Sequence, residues 1–290
     1  MGPFGDLTRM ITGLDHVVLL VRDIEAGIAG YQTLLGRAPS WRTESHGAAT
    51  AMFTLANMSL ELMAPSGEGT AGERVRAALD KQGEGLASLA FAVADITKAH
   101  RRLTRLGLAP DEIGDGQSHD VASGASMSWQ RFRASNEFTQ GVRMFFLQRP
   151  EPLRGPADPA SDAVEALDSL VLSTPSPDRA AALYGARLGL DMALDRTIAG
   201  LDTRFLFFRC GNDLIVEIIH RLKNGVGEGP DQIWGLSWRA ADIVAAQNRL
   251  RGAGLEVSDI RDGRKPGSRV ATVKTGTFGV PTLLIQQGIR

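Results

Sequence analysis

The chain has 290 residues, 43% of them hydrophobic and 22% charged, with a formal net charge of -1. That length suits two domains with packed cores, and the balanced charge gives no electrostatic case for nucleic acid or an anionic membrane. A single cysteine, Cys210, excludes an intrachain disulfide and fits a reducing compartment.

The opening Met1-Gly2-Pro3-Phe4-Gly5-Asp6 has no basic stretch followed by an apolar one. The expectation is therefore no secretory signal and a cytoplasmic home. No apolar run approaches bilayer length. Ile11 to Val21 is apolar and β-branched and reads as a strand covered on both faces. Asp23 opens a helix with Ile24, Ile28, Tyr31 and Leu35 at helical spacing, and Gly36 closes it. Short strands are expected over 40–44, 50–55 and 58–63, with Asn57 in a turn. The unit is β-α-β-β-β. It returns with a strand over 86–93, a helix over 95–106 and weaker strands up to Leu147. Pro150, Pro152, Pro156 and Pro159 then mark a linker. A third unit spans about 166–220 and a fourth about 234–287, with its helix over 242–251.

These units are copies. One offset carries Leu14-Asp15-His16 onto Leu167-Asp168-Ser169, Tyr31 onto Tyr184 and Gly36 onto Gly189; another carries Ala94-Asp95-Ile96 onto Ala241-Asp242-Ile243. A lone β-α-β-β-β unit cannot bury its sheet. Pairing units yields a curved eight-stranded sheet with helices on the convex side and a cup on the other. The fold class is α+β: four units in two cups, an N-terminal domain over 1–149, a linker over 150–163 and a C-terminal domain over 164–290. Cups are natural pockets for small molecules.

Gly13-Leu14-Asp15-His16-Val17-Val18, Tyr31-Gln32-Thr33-Leu34-Leu35-Gly36 and Leu60-Glu61-Leu62 together resemble the vicinal oxygen chelate superfamily of glyoxalases, extradiol dioxygenases and bleomycin-resistance proteins. The stretch from His46-Gly47 to Ala51 resembles its glyoxalase-like branch. The resemblance implies metal ligands on the first and last strands of each unit. It assigns His16 and Glu61 to those positions in the first unit, Ser88 and approximately Phe146 in the second, Ser169 and Glu217 in the third, and Gly235 and about Leu283 in the fourth. Iron, manganese, zinc or nickel would suit an imidazole and a carboxylate, but such an ion needs about three protein ligands. His119 and Gln148 are candidates for the third. No metal at all is the alternative.

Other residues carry chemistry of their own. His46 sits in a hairpin turn, where it can act as acid or base at the cup mouth. Glu217 can act as a base with its pKa raised by burial, or pair with Arg239 or Arg209. The loop from Arg261 to Arg269 offers Arg264 and Lys265 to an anionic substrate, with Arg239 as a further contact. His100 reads as structural, His220 as a surface residue at a strand end, and Cys210 as a buried thiol. No phosphate-loop or serine-nucleophile motif is present. Three readings follow. One is a metal-assisted lyase, isomerase or dioxygenase acting on a small aromatic or carbonyl compound in the N-terminal cup. The second is a metal-free binding protein of the bleomycin-resistance kind. The third is a metal-free acid/base enzyme. A monomer or homodimer is expected.

Overall fold

A computed structural model describes residues 9–151 and 160–288. Most of the expected linker, including Pro152, Pro156 and Pro159, lies outside the described residues. The first unit comprises β1 (Ile11–Leu20), α1 (Ile24–Leu35), β2 (Trp41–Ser45), β3 (Ala48–Thr54) and β4 (Ser59–Pro65). Asp23 caps α1 by accepting from the backbone N–H groups of Glu25 and Ala26, and Gly36 ends it at φ 70°. The second unit comprises β5 (Gly85–Val93), α3 (Ile96–Arg105), β6 (Gly114–His119), β7 (Ser126–Arg133) and β8 (Met144–Gln148). Between them lies a helix that a reading in units passes over, α2 (Thr70–Gln82).

The other half repeats the plan: β9 (Val164–Ser173), α4 (Pro177–Ala181), which continues as a π-helical turn over Ala182–Arg187, β10 (Asp191–Ile198), β11 (Thr203–Arg209) and β12 (Ile215–Arg221). Then follow β13 (Gln232–Ala240), α5 (Ile243–Gly252), β14 (Arg261–Asp262), β15 (Arg269–Val273) and β16 (Thr282–Gln286). The N-terminal sheet runs β2-β3-β4-β1-β5-β8-β7-β6, and the C-terminal sheet runs β10-β11-β12-β9-β13-β16-β15-β14. In each, the first strands of the paired units lie antiparallel at the centre.

Strand alternation divides the apolar side chains between two faces. On the helix-bearing faces, one buried cluster joins Leu19, Leu35 and Phe53 of the first half to Leu172, Tyr184 and Trp238 of the second. Tyr31 stacks on Phe278, with ring centroids 6.0 Å apart, and its hydroxyl donates to the Thr277 carbonyl, so the halves share a core.

The two cups differ. In the N-terminal half, Val75 and Leu79 of α2 pack against Val18 and Leu20 on the concave face. The backbone carbonyl of His46 accepts from Ala71 and Gly72, which pins the start of α2 to the β2–β3 turn. The rim also closes: Val121 N–H donates to the Arg42 carbonyl, and the Trp41 indole N–H donates to Ser118 Oγ at 2.9 Å. The sheet is nearly a barrel. The C-terminal cup has no helix in the place of α2, and its edge strand β10 is exposed along almost its whole length.

Candidate functional site

A β-bulge in β1 shifts the register between Leu14 and His16, so Asp15 and His16 turn toward one another. The same bulge recurs in β9 around Asp168. Neither aspartate is picked out by reading alternate strand residues, because a bulge breaks that alternation. Its one trace in the sequence is the aspartate that both copies keep at the same position.

In the N-terminal cup, His16 Nδ1–H donates to Asp15 Oδ1 at 2.6 Å. His16 Nε2 lies 3.4 Å from Glu61 Oε2. Arg149, at the end of β8, grips the other side of Asp15 through Nε at 3.0 Å and Nη2 at 3.1 Å, and lies over the Trp129 ring. Burial opposes charge on Asp15, but the bonds from His16 and Arg149 outweigh it and hold the carboxyl well below its usual range. Burial likewise opposes charge on His16, yet Asp15 and Glu61 together raise its pKa above 6.5.

A raised folded-state pKa makes the imidazolium stabilising below the unfolded value. That stability is lost as pH rises through the folded value. The melting temperature of the protein should therefore fall as pH is raised above about 6.5, and His16→Gln should remove that part of the slope. Melting scans across pH 6–9 in one buffer series check this; parallel curves for the two proteins would refute it.

The donor set does not complete a metal centre. Register pairs Val18 with Glu61 and Ala90 with Phe145, so Phe145, rather than Phe146, is the counterpart of Glu61 in the second unit. Ser88 and Phe145 offer no third or fourth strong ligand. Gln148 Oε1 instead accepts from Ile96 N–H at the start of α3. His119 is exposed and bonded to Ser126 Oγ. Among the described residues, no three His, Cys, Asp or Glu side chains are placed to hold one ion. His46 is exposed in its turn at φ 50°.

The C-terminal cup contains a cavity of about 740 Å³. Glu217 of β12 lies in it, flanked by Val171, Phe205, Phe207 and Ile219. Burial raises the Glu217 pKa above its usual value; Arg264 and Lys265 counter this and Asp168 reinforces it. Among the described residues no cation lies within ion-pairing distance of Glu217. Arg239 reaches instead toward Asp168 (3.8 Å) and the Asp213 carbonyl, and Arg209 is exposed. The hairpin between β14 and β15 folds over the cup. Arg264 stacks on Phe205, 4.6 Å from the ring centroid, and Lys265 Nζ lies 3.2 Å from Asp168 Oδ2. Gln287 donates to Asp168 where its counterpart Arg149 grips Asp15. The structure thus gathers Glu217, Arg264 and Lys265 around one cup and His16 and Glu61 in the other, while Arg239 lies behind Asp168 and outside the cavity lining.

The remaining candidates are structural. His100 Nε2–H donates to the Asp111 backbone carbonyl, and the ring stands edge-on to Phe132. His220, expected at the surface, is buried, with Nδ1 bonded at the Thr174 carbonyl; its strand end is covered by the Thr174–Ser176 turn. The Cys210 thiol is buried and pushed up to about 12, which makes it inert.

Comparison with known proteins agrees with this architecture. A family model described as a glyoxalase-like domain matches residues 14–189. An ethylmalonyl-CoA/methylmalonyl-CoA epimerase of Cereibacter sphaeroides is 35% identical over 119 residues, which cover 40% of this chain and 84% of that protein. A mutant 4-hydroxymandelate synthase of Streptomyces coelicolor superposes with a TM-score of 0.71 at 14% identity, covering 97% of this chain and 94% of that one. A Mn(II)-bound glyoxalase of Novosphingobium aromaticivorans superposes with a TM-score of 0.67 at 13% identity, covering 96% and 82%. The two superpositions show a shared fold. The chain belongs to the glyoxalase-like domain family of the vicinal oxygen chelate superfamily.

Proposed function

We propose that the protein is a metal-independent acid/base enzyme that works in its C-terminal cup on a small, largely apolar carbonyl compound bearing an anionic group. The observation that carries this is the unpaired Glu217 carboxyl in an apolar cavity of about 740 Å³. A raised pKa brings a carboxyl closer to neutrality, where it exchanges protons most effectively. Arg264 and Lys265 over the cup suit the substrate's negative charge, and the phenylalanines suit its body. The chemistry is removal and return of a proton beside the carbonyl, an isomerase step. Glu217 takes the proton from carbon. The cations of the hairpin orient the anionic group, and the apolar walls keep bulk water from the carboxyl. The epimerase among the relatives supports a proton-transfer reaction.

The test begins with a panel of small aromatic and carbonyl acids screened by melting temperature, since a ligand of the folded state stabilises it by mass action. Compounds that stabilise are then incubated in D2O and followed by NMR. Deuterium should enter beside the carbonyl. Stabilisation without exchange would leave a binding protein and sink the enzyme. Stabilisation that survives Arg264→Gln together with Phe205→Ala would place the ligand elsewhere.

A further inference from the structure

The N-terminal cup holds a second feature that the chemistry above leaves unused. Phe132 of β7 faces the helix-bearing core and stacks on Phe146, with ring centroids 5.1 Å apart. Its neighbours Arg131 and Arg133 therefore turn to the concave side, as Phe145 does beside Phe146. The guanidinium carbons of Arg131 and Arg143 lie 5.3 Å and 5.4 Å from the centre of the Phe145 ring. Arg133 pairs in register with Phe145; its backbone is hydrogen-bonded to Asp111, but its guanidinium makes only a long contact to that carboxylate, 3.9 Å. Arg74 lies on α2, near enough for its charge to act on Arg143. Burial and the charges of Arg133, Arg131 and Arg74 pull Arg143 below the ordinary arginine value. Among the described residues, the side chains of Arg74, Arg131 and Arg143 form no ion pair.

The fold does not need these charges. Register aligns Arg131 with Val270 and Arg133 with Thr272, and Pro281 stands where Arg143 does, so the C-terminal sheet is built without them. Arg204, by contrast, is paired with Asp195 and Asp178. The charges of Arg131 and Arg143 over one aromatic ring, with those of Arg133 and Arg74 acting on Arg143, repel one another, and an anion between them would relieve that repulsion. Planar guanidinium forks match phosphate oxygens, several of them to one group.

We propose that the N-terminal cup binds the phosphate group of a small molecule between α2 and the β7–β8 hairpin, held by Arg74, Arg131, Arg133 and Arg143 over Phe145. This site is independent of the C-terminal cup.

Inorganic pyrophosphate and ADP are the probes, titrated calorimetrically at constant ionic strength against a sodium chloride control. Pyrophosphate should bind saturably and raise the melting temperature. The Arg131→Gln, Arg143→Gln double variant should bind it at least tenfold more weakly. Because the substitutions relieve repulsion, the unliganded variant should melt no lower than the wild type, which separates lost binding from lost folding. ADP binding tighter than pyrophosphate would point to an organic phosphate, and equal or weaker binding to a free one. Glu217→Gln should leave both affinities unchanged. No saturable binding of either probe, or equal affinity in the double variant, would overturn the proposal.

Discussion

Replacing Glu217 with glutamine should make the protein more stable and abolish its proton transfer. The carboxyl is held in an apolar cavity without an ion-pair partner, and its pKa is raised chiefly by that burial. A raised carboxyl pKa means that ionisation is harder in the folded chain than in the unfolded one. The penalty is absent below the unfolded value near 4.5 and grows as pH rises toward the folded value. At neutral pH the wild type bears it, and glutamine, nearly the same shape, does not. The gain should be about 1 kcal/mol, or about 2–4 °C in melting temperature, and should shrink as pH is lowered to 4. Deuterium exchange into the bound compound should fall about 10²–10⁴-fold, the usual worth of a positioned general base. In the wild type that exchange should rise with pH through the elevated Glu217 value. A variant that melts lower than the wild type, or exchanges at the wild-type rate, would remove Glu217 from this role.

Glu217 was readable as a candidate because Glu61 repeats in it, and the repeat also made the four units and their pairing legible. Asp23, Asp95 and Asp242 each open a helix at the same point of the unit, and capping chemistry is local enough to see in a single chain. What separates the two cups is not local. The spacing of Ala71, Val75, Ala78 and Leu79 is helical, but nothing in those residues says that α2 will lie across the concave face rather than outside it. That placement follows from Gly47 and Gly72, whose lack of side chains lets the β2–β3 turn and the first turn of α2 meet backbone to backbone. Because one cup is roofed and the other open, the cavity of about 740 Å³ lies over Glu217 and not over His16 and Glu61. The bulge aspartates were hidden for a related reason. A strand read by alternation assigns Asp15 and His16 to opposite faces, and only the pairing register shows that they share one.

Those aspartates lead to the largest stability effect expected of a single substitution. Asp15→Ala would strand the buried Arg149 cation and leave a buried imidazole without its partner. Arg149, whose side chain is 6% exposed, would lose both of its bonds to a carboxylate, and His16 would lose the partner of Nδ1. Breaking a buried pair by removing one member costs about 3–5 kcal/mol, because the remaining charge stays desolvated; the melting temperature should drop on the order of 10 °C. Asp15→Asn keeps the volume and one acceptor and should fall between the two. The matching substitution in the other half, Asp168→Ala, offers an internal control. Asp168 is at least as deeply buried, but its hydrogen-bond partners are neutral Gln287 and Ser169 together with Lys265, which is half-exposed and can turn to water, and Arg239 approaches it only to 3.8 Å. Its loss should cost clearly less. The acid limb provides an independent reading. With its folded-state pKa depressed, Asp15 contributes stability above the unfolded value near 3.8 and surrenders it as pH falls through the folded value, so Asp15→Ala should flatten that part of the wild-type decline. Urea unfolding of the three variants at pH 7 and of the wild type and Asp15→Ala down to pH 3 measures all of this. Equal costs at positions 15 and 168 would mean that Arg149 is not the reason this aspartate matters, and that the bulge needs its carboxylate for the backbone alone.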